Sequence, residues 1–353
     1  MSNQGKKVIV GLSGGVDSSV SCALLKEQGF EVEAIFMKNW TPKSAAEGLL
    51  TCPLKADEKD ARLVASQLGI KLSVISFEEE YRKEVVDYLF KEYQEGRTPN
   101  PDVLCNSRIK FKVFLKKALE LGADYVATGH YVRREGDQLL KGADHNKDQS
   151  YFLYQITKEQ LQKSLFPVGG YKKPEVRKLA QKFGLATAAK KDSQGICFVG
   201  EVAMKEFLKT RIKPKKGAII TTEGEKIGEH EGAWYYTIGQ RKGIGIGGGI
   251  PYYVASKDLK NNKLIVARGD KDEALFNLEL QAGEIHWICG NEPKFPLACQ
   301  AKIRYRQADQ DCEVVKSGDL LEVRFKEPQR AITPGQFIVF YQDQVCLGGA
   351  KIL

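Results

Sequence analysis

The sequence predicts an α/β protein: a Rossmann-like parallel-sheet domain, then a small β-rich domain, then a C-terminal β-barrel. Three observations predict it. As far as residue 131, short apolar runs alternate with stretches of helical length. A glycine-rich turn separates the first apolar run from the first helical stretch. Beyond about residue 210, glycine becomes dense, helical periodicity fades and short apolar runs recur. The expected domains are residues 1–210, 211–280 and 281–353.

The elements follow in order. Residues 8–10 read as a short buried strand and 18–28 as a helix, with Gly29 placed to end it. Strand 32–37, helix 55–68, strand 72–77 and helix 79–94 come next. A proline-containing loop is expected over 96–107, then helix 109–121 and strand 125–128. Such a βαβα succession makes a parallel sheet with helices on both faces. Ligands on such sheets sit beyond the C-terminal strand ends, where the loops 11–18, after Met37 and 129–131 fall. Residues 150–208 read as mostly helical, with Pro174 opening helix 174–183. Later strands are expected at 234–238, 252–254, 263–267, 321–325 and 336–341, with a turn at Ile332-Thr333-Pro334-Gly335. Segment 41–54 is idiosyncratic, and 133–140 reads as a short loop. The glycines at 243, 245 and 247–249 precede a strand, not a helix, so they read as a mobile loop.

The 353 residues suffice for two or three domains, and 42% are hydrophobic, enough for a sizeable core. No apolar run is long enough to span a bilayer, and the first residues carry no secretory or presequence pattern. A cytoplasmic enzyme with no membrane partner is expected. The net charge of +9 suggests an anionic macromolecular partner. Residues 97–117 hold Arg97, Arg108, Lys110, Lys112, Lys116 and Lys117 against Asp102 alone. Residues 202–216 hold Lys205, Lys209, Arg211, Lys213, Lys215 and Lys216 against Glu206 alone. Each stretch reads equally as a solvated face. None of the eight cysteines forms a C-x-x-C pair, which argues against zinc and structural disulfides. Most are expected to be small buried hydrophobes, with one or two reactive.

Gly11-Leu12-Ser13-Gly14-Gly15-Val16-Asp17-Ser18 lies between a strand and a helix. Its glycines let backbone N–H groups approach an anion, and the helix N-terminus adds partial positive charge. Ser13 and Ser18 can donate hydroxyl hydrogen bonds to phosphate. The GK[ST] ending of a Walker A loop is absent, and the G-x-G-x-x-G spacing fails. The loop does match S-G-G-x-D-S, and so resembles the pyrophosphate loop of N-type ATP pyrophosphatases (the PP-loop enzymes). That resemblance implies cleavage of ATP between its α and β phosphates.

Further motifs narrow the chemistry. Asn100-Pro101-Asp102-Val103-Leu104-Cys105 places a carboxylate three residues before a cysteine in a basic loop. Ala127-Thr128-Gly129-His130-Tyr131 follows a strand, and Asn146-Lys147-Asp148-Gln149-Ser150 opens a helix. Lys191-Asp192-Ser193-Gln194-Gly195-Ile196-Cys197-Phe198 brings a second cysteine, and Tyr236-Thr237-Ile238-Gly239-Gln240-Arg241-Lys242-Gly243 follows. Two thiolates that can pair can release a carried sulfur by exchange. Lys190, Lys191 and Arg108 lie near them in sequence and can lower a thiol pKa. Asp102 can act as a general acid or base. Alone, Cys197 reads as a buried thiol, Met37 as core filler and His130 as a turn residue; Cys105, in its polar loop, is a poor core candidate.

Together, and in this order over nearly the whole chain, the motifs resemble the tRNA-specific 2-thiouridylase family. The resemblance implies that ATP, with Mg2+ and no tightly bound metal or prosthetic group, adenylates O2 of a wobble uridine. A persulfide on Cys197 then delivers sulfur to C2. Cys105 is the other catalytic thiol, either attacking the persulfide or helping to release hydrogen sulfide, and a transient Cys105–Cys197 disulfide results. Implied ATP contacts are Gly11, Leu12, Ser13, Gly14, Gly15, Val16, Asp17, Ser18, Met37 and Gly129. Asn100, Pro101 and Asp102 are implied at the target base, and His130, Lys147, Asp148, Gln149, Arg304, Tyr305 and Gln336 at tRNA. Implied partners are the tRNAs for lysine, glutamate and glutamine and a persulfide donor protein, a cysteine desulfurase or relay carrier. The competing readings are a small-molecule synthetase of the same superfamily, a tRNA-binding protein without catalysis, and an iron–sulfur enzyme, for which two site cysteines are few.

Overall fold

The computed structural model describes residues 3–41, 54–192, 204–247 and 249–353. The described N-terminal region holds strands β1 (Lys7–Gly11), β2 (Glu31–Lys38), β3 (Lys71–Ser76), β4 (Tyr125–Ala127), β5 (Val132–Glu135), β6 (Gln138–Lys141) and β7 (Ser164–Leu165). Five of them form a parallel sheet in the order β3-β2-β1-β4-β7. Strand alternation divides its two faces. Val8, Val10, Ala34 and Phe36 pack with helices Val16–Glu27, Leu54–Leu68 and Lys173–Lys182. Ile9, Ile35, Met37 and Val126 pack on the other side with Tyr81, Leu89, Ile109 and Phe114.

The expected proline loop is shorter than read. A helix begins at Pro101, running through Pro101–Leu104, a π-helical stretch Cys105–Phe114 and Leu115–Glu120. The Asn100 side chain accepts the N–H groups of Asp102 (3.2 Å) and Val103 (3.4 Å), and proline at the first position has no N–H to lose. Asp102 and Cys105 therefore sit three apart on one helix, where side chains are neighbours. The Asn106 amide donates to the Asp102 carbonyl (2.9 Å).

Residues 133–140 are likewise no simple loop. β5 and β6 pair as a hairpin, and β6 joins the barrel sheet. Residues 150–182 hold only short helices, Ser150–Leu153, Lys158–Gln162 and Lys173–Lys182, with β7 among them.

The central domain is a four-stranded sheet: β8 (Gly217–Thr221), β9 (Lys226–His230), β10 (Tyr252–Asp258) and β11 (Lys263–Arg268), ordered β10-β11-β8-β9. The strand expected at 234–238 is a 3-10 turn, Ala233–Tyr235. Side chains of His230 and Asn262 take the N–H groups of Gly232 (2.9 Å) and Ala233 (3.1 Å), so the segment has no ladder to join.

Strands β12 (Phe276–Trp287), β13 (Leu297–Lys302), β14 (Gln310–Ser317), β15 (Leu320–Arg330), β16 (Phe337–Gln342) and β17 (Val345–Ile352) form the barrel. Their order β12-β15-β14-β13-β16-β17 closes through β12–β17 pairing. The domains share cores. Phe111, Tyr151 and Tyr154 pack with Phe337, Val339 and Tyr341 of the barrel, and Phe90 belongs to one cluster with Ile219, Val254 and Leu264 of the central sheet. No helix among the described residues is long and apolar enough to cross a membrane.

Candidate active site

The glycine-rich turn leaves the end of β1 and enters helix Val16–Glu27. Gly15 is the N-cap, and no side chain caps the first helical amides, which leaves an N-terminal turn open to an anion. Ser13 and Ser18 hydroxyls lie 3.1 Å apart, and Ser18 also accepts the Ser13 N–H (3.2 Å). Glycine is required twice. Gly14 has φ +77°, and a Cβ there would stand 2.1 Å from the Asp57 carbonyl oxygen. A Cβ on Gly129, just beyond β4, would stand 2.7 Å from the Ser18 nitrogen. Met37, at the end of β2, is buried, and its Cε packs over Gly11.

Asp17 is held by residues far away in sequence. Lys173 Nζ lies 2.7 and 2.8 Å from its two oxygens, and the Tyr131 hydroxyl donates to Oδ1 (2.7 Å). Lys173 also reaches Asp192 Oδ1 (2.8 Å), which Arg177 meets at 2.9 Å, while Lys147 meets Oδ2 at 2.6 Å. Burial opposes the charge on Asp192, but hydrogen bonds from Lys147 and Lys173 outweigh it and hold the carboxyl down to about 2. Burial and the neighbouring Asp17 carboxylate push the Tyr131 phenol far up, so it stays a donor. Lys190, near Cys197 in sequence, binds the Gly14 carbonyl (3.0 Å), Asp57 (2.7 Å) and Asp60 (2.5 Å). It ties the helix Leu54–Leu68, which carries both carboxylates, to the turn and so braces the turn from behind.

Cys105 is fully buried among Leu104, Ile109 and Phe114, contrary to the expectation that it is a poor core candidate. The helix begun at Pro101 turns it inward. Cys197 lies outside the described residues, as does Cys52. Arg108 and Lys191 are exposed, and Asp102 is half-buried.

The expected tRNA residues fall into two groups. His130 is buried between Phe111 and Phe166, with Nδ1 2.7 Å from Thr128 Oγ1 and Nε2 3.4 Å from Lys110 Nζ. Burial, then the Lys110 cation, hold its pKa well below the usual imidazole value, so it is neutral. Asp148 is also buried and accepts from the Gly142 and Ser150 amides and the Ser150 hydroxyl. Gln149 Oε1 accepts the Tyr131 N–H (2.9 Å). Lys147 and Tyr305 remain part-exposed, joined by a hydrogen bond from the Tyr305 hydroxyl to the Lys147 carbonyl (3.4 Å). Arg304 donates to the Ala331 carbonyl, and Gln336 donates to the Thr98 carbonyl (2.7 Å). Thr98 is a three-domain junction, since its N–H donates to Pro334 (2.9 Å) and its hydroxyl to Thr237 (3.3 Å).

The basic stretches are less bare than their local counts. Arg97 is paired with buried Glu92, Lys205 with Glu231, Lys209 with Glu206 and Glu231, and Arg211 with Asp87. Lys213, Lys215 and Lys216 stay exposed. Sequence reasoning missed Lys173, Tyr131 and Asp192 as site residues. Tyr131 and Asp192 stand inside motifs that were singled out, whereas Lys173 has no local mark.

An S-G-G-x-D-S turn feeding an uncapped helix at the C-terminal end of the central strand of a parallel sheet, with two β domains appended, defines the class of PP-loop ATP-utilising enzymes. Family models match in succession: a tRNA methyl transferase HUP domain over residues 6–201, a tRNA methyl transferase PRC-barrel domain over 205–268 and an aminomethyltransferase β-barrel domain over 277–352. A tRNA-specific 2-thiouridylase MnmA from Marinomonas sp. (strain MWYL1) is 53% identical over 360 residues, covering 99% of this chain and 92% of that one. One from Proteus mirabilis (strain HI4320) is 54% identical over 361 residues, covering 99% and 98%. The chain belongs to the tRNA-specific 2-thiouridylase family.

Proposed function

We propose that this enzyme makes 2-thiouridine at the wobble position of tRNA in the cytoplasm. ATP lies with its phosphates on Ser13–Ser18 and its adenine on Met37, close to Gly129. O2 of the uridine attacks the α-phosphorus, pyrophosphate leaves, and C2 becomes electrophilic. The terminal sulfur of a Cys197 persulfide attacks C2, and AMP leaves. Cys105 thiolate then attacks the Cys197 sulfur, which breaks the S–S bond, frees the thiocarbonyl and forms a Cys105–Cys197 disulfide. In the alternative order, Cys105 first releases hydrogen sulfide from the persulfide. Either way a two-electron dithiol reductant resets the pair.

The observation that carries this reading is Lys173, which binds both Asp17 of the phosphate turn and Asp192. Asp192 precedes Cys197 by five residues, a reach of at most about 18 Å of chain. That span is short enough for a Cys197 persulfide to serve the nucleotide site, which supports the reading. Mg2+ arrives on the ATP phosphates. Both Asp17 oxygens already bind Lys173, which fits a metal held mainly by substrate. Asn100 supports the base pocket by capping the helix of Asp102 and Cys105, and Lys147, Tyr305 and Arg304 border the tRNA. A wobble base must leave its stack to react, which suits a pocket with a basic rim. The substrates are the lysine, glutamate and glutamine tRNAs, and the donor is a persulfide carrier.

Pyrophosphate release measured with and without unmodified tRNA tests the adenylation step. Release that requires tRNA is expected. Full release without tRNA would instead support a small-molecule synthetase.

A further inference from the structure

Two cysteines outside the active site face each other in the barrel wall. Cys299 on β13 and Cys312 on β14 are direct antiparallel partners, and their sulfurs lie 3.8 Å apart. Opposed antiparallel residues have Cα atoms about 4.5–5.5 Å apart, within the roughly 4.4–6.8 Å that a disulfide bridges. Cys312 is buried in the barrel core, while Cys299 is half-exposed at its edge. The other described cysteines do not share this arrangement: Cys22, Cys105 and Cys346 are buried, and Cys289 is exposed.

We propose that Cys299 and Cys312 form a second, reversible disulfide site, separate from the catalytic thiols and closed by hydrogen peroxide. Access orders the reaction, because only Cys299 is reachable from solvent. Its hydrogen bond to the Cys299 sulfur, and then burial, also push the Cys312 thiol far up, so Cys312 is the poorer first nucleophile. Cys299 thiolate attacks the peroxide, the O–O bond breaks, and water leaves with Cys299 as a sulfenic acid. The Cys312 sulfur then attacks the Cys299 sulfur, the S–O bond breaks, and a second water leaves. The two thiols supply the two electrons, and an external dithiol reverses the step by exchange. The closed ring encloses residues 300–311, including Arg304 and Tyr305. If those residues border tRNA as proposed above, oxidation stiffens part of the tRNA-facing rim.

The test uses the full chain carrying Cys105→Ser and Cys197→Ser, so that the catalytic pair cannot contribute. After hydrogen peroxide, alkylation and proteolysis, mass spectrometry is expected to find the peptides of Cys299 and Cys312 joined, two hydrogens lighter. A dithiol should separate them, and Cys299→Ser should abolish the product without changing the melting temperature. In Cys312→Ser, Cys299 should instead proceed to sulfinic acid. Recovery of Cys312 as an alkylated thiol beside an oxidised Cys299 in the unsubstituted barrel would overturn the proposal.

Discussion

Lys173 is shared between Asp17 and Asp192, 2.7 Å from one carboxylate and 2.8 Å from the other, with about a tenth of its side chain exposed. One cation thus joins the phosphate turn to the segment leading toward Cys197. Removing it takes from Asp17 the cation that meets both its oxygens, and leaves Asp192 with Lys147 and Arg177. Lys173→Met is expected to slow tRNA-dependent pyrophosphate release by about 100-fold, the scale of losing one preorganised charge. Lys173→Arg should recover part of the rate. Unchanged release in Lys173→Met would reduce the residue to a structural role.

Asp192 supplies a pH test. Its folded pKa, about 2, lies below the roughly 3.9 of an unfolded aspartate. The stability it contributes is therefore full above the unfolded value and lost as pH falls from about 4 toward 2. Urea unfolding at stepped pH should show wild type losing stability through that window, with a flatter profile for Asp192→Asn.

Asn39, directly after β2, is fully buried, and neither of its amide atoms has a partner among the described residues. An unsatisfied buried amide costs about 1–3 kcal/mol, so one beside a ligand-binding sheet edge is expected to meet substrate. Asn39→Leu should leave the melting temperature equal or higher while lowering kcat/KM for ATP or tRNA about 10-fold or more. A fall in stability with unchanged kinetics would contradict this.

Glu92 joins the barrel to the α/β domain. It is almost wholly buried, and its carboxylate meets Arg97 at 2.7 Å and Lys351 of β17 at 3.0 Å. Glu92→Gln should cost about 1.5–3 kcal/mol in denaturant unfolding, because Arg97 and Lys351 each lose a buried charged partner and keep only the more exposed Glu95 and Glu284. Gln336→Ala, which removes one neutral bond to Thr98, should cost only about 1 kcal/mol.

Much of this was legible locally. Val8, Ile9 and Val10 announce a strand buried on both faces, and the serines and glycines of the turn announce an anion site. Asn100-Pro101 was also a helix start signal, but the proline and polar neighbours resembled a loop. Elements with distant partners were not legible. The hairpin β5–β6 owes its place to β17, some two hundred residues later, and Val345 and Cys346 pair with Leu140 and Leu139. Lys205, Lys209 and Arg211 looked like a bare basic stretch because Glu231 and Asp87 lie outside it. Lys173 sits in the first turn of an ordinary amphipathic helix, and only the fold delivers it to Asp17.

In the proposed reaction Cys197 carries the sulfur and Cys105 releases it after adenylation at the Ser13–Ser18 turn. Single-turnover thiolation of unmodified tRNA by persulfide-loaded enzyme, read as 2-thiouridine by nucleoside mass spectrometry, tests it most directly. Wild type is expected to give one equivalent of 2-thiouridine and Cys197→Ser none, while tRNA-dependent pyrophosphate release persists in both. Full sulfur transfer by Cys197→Ser would contradict it.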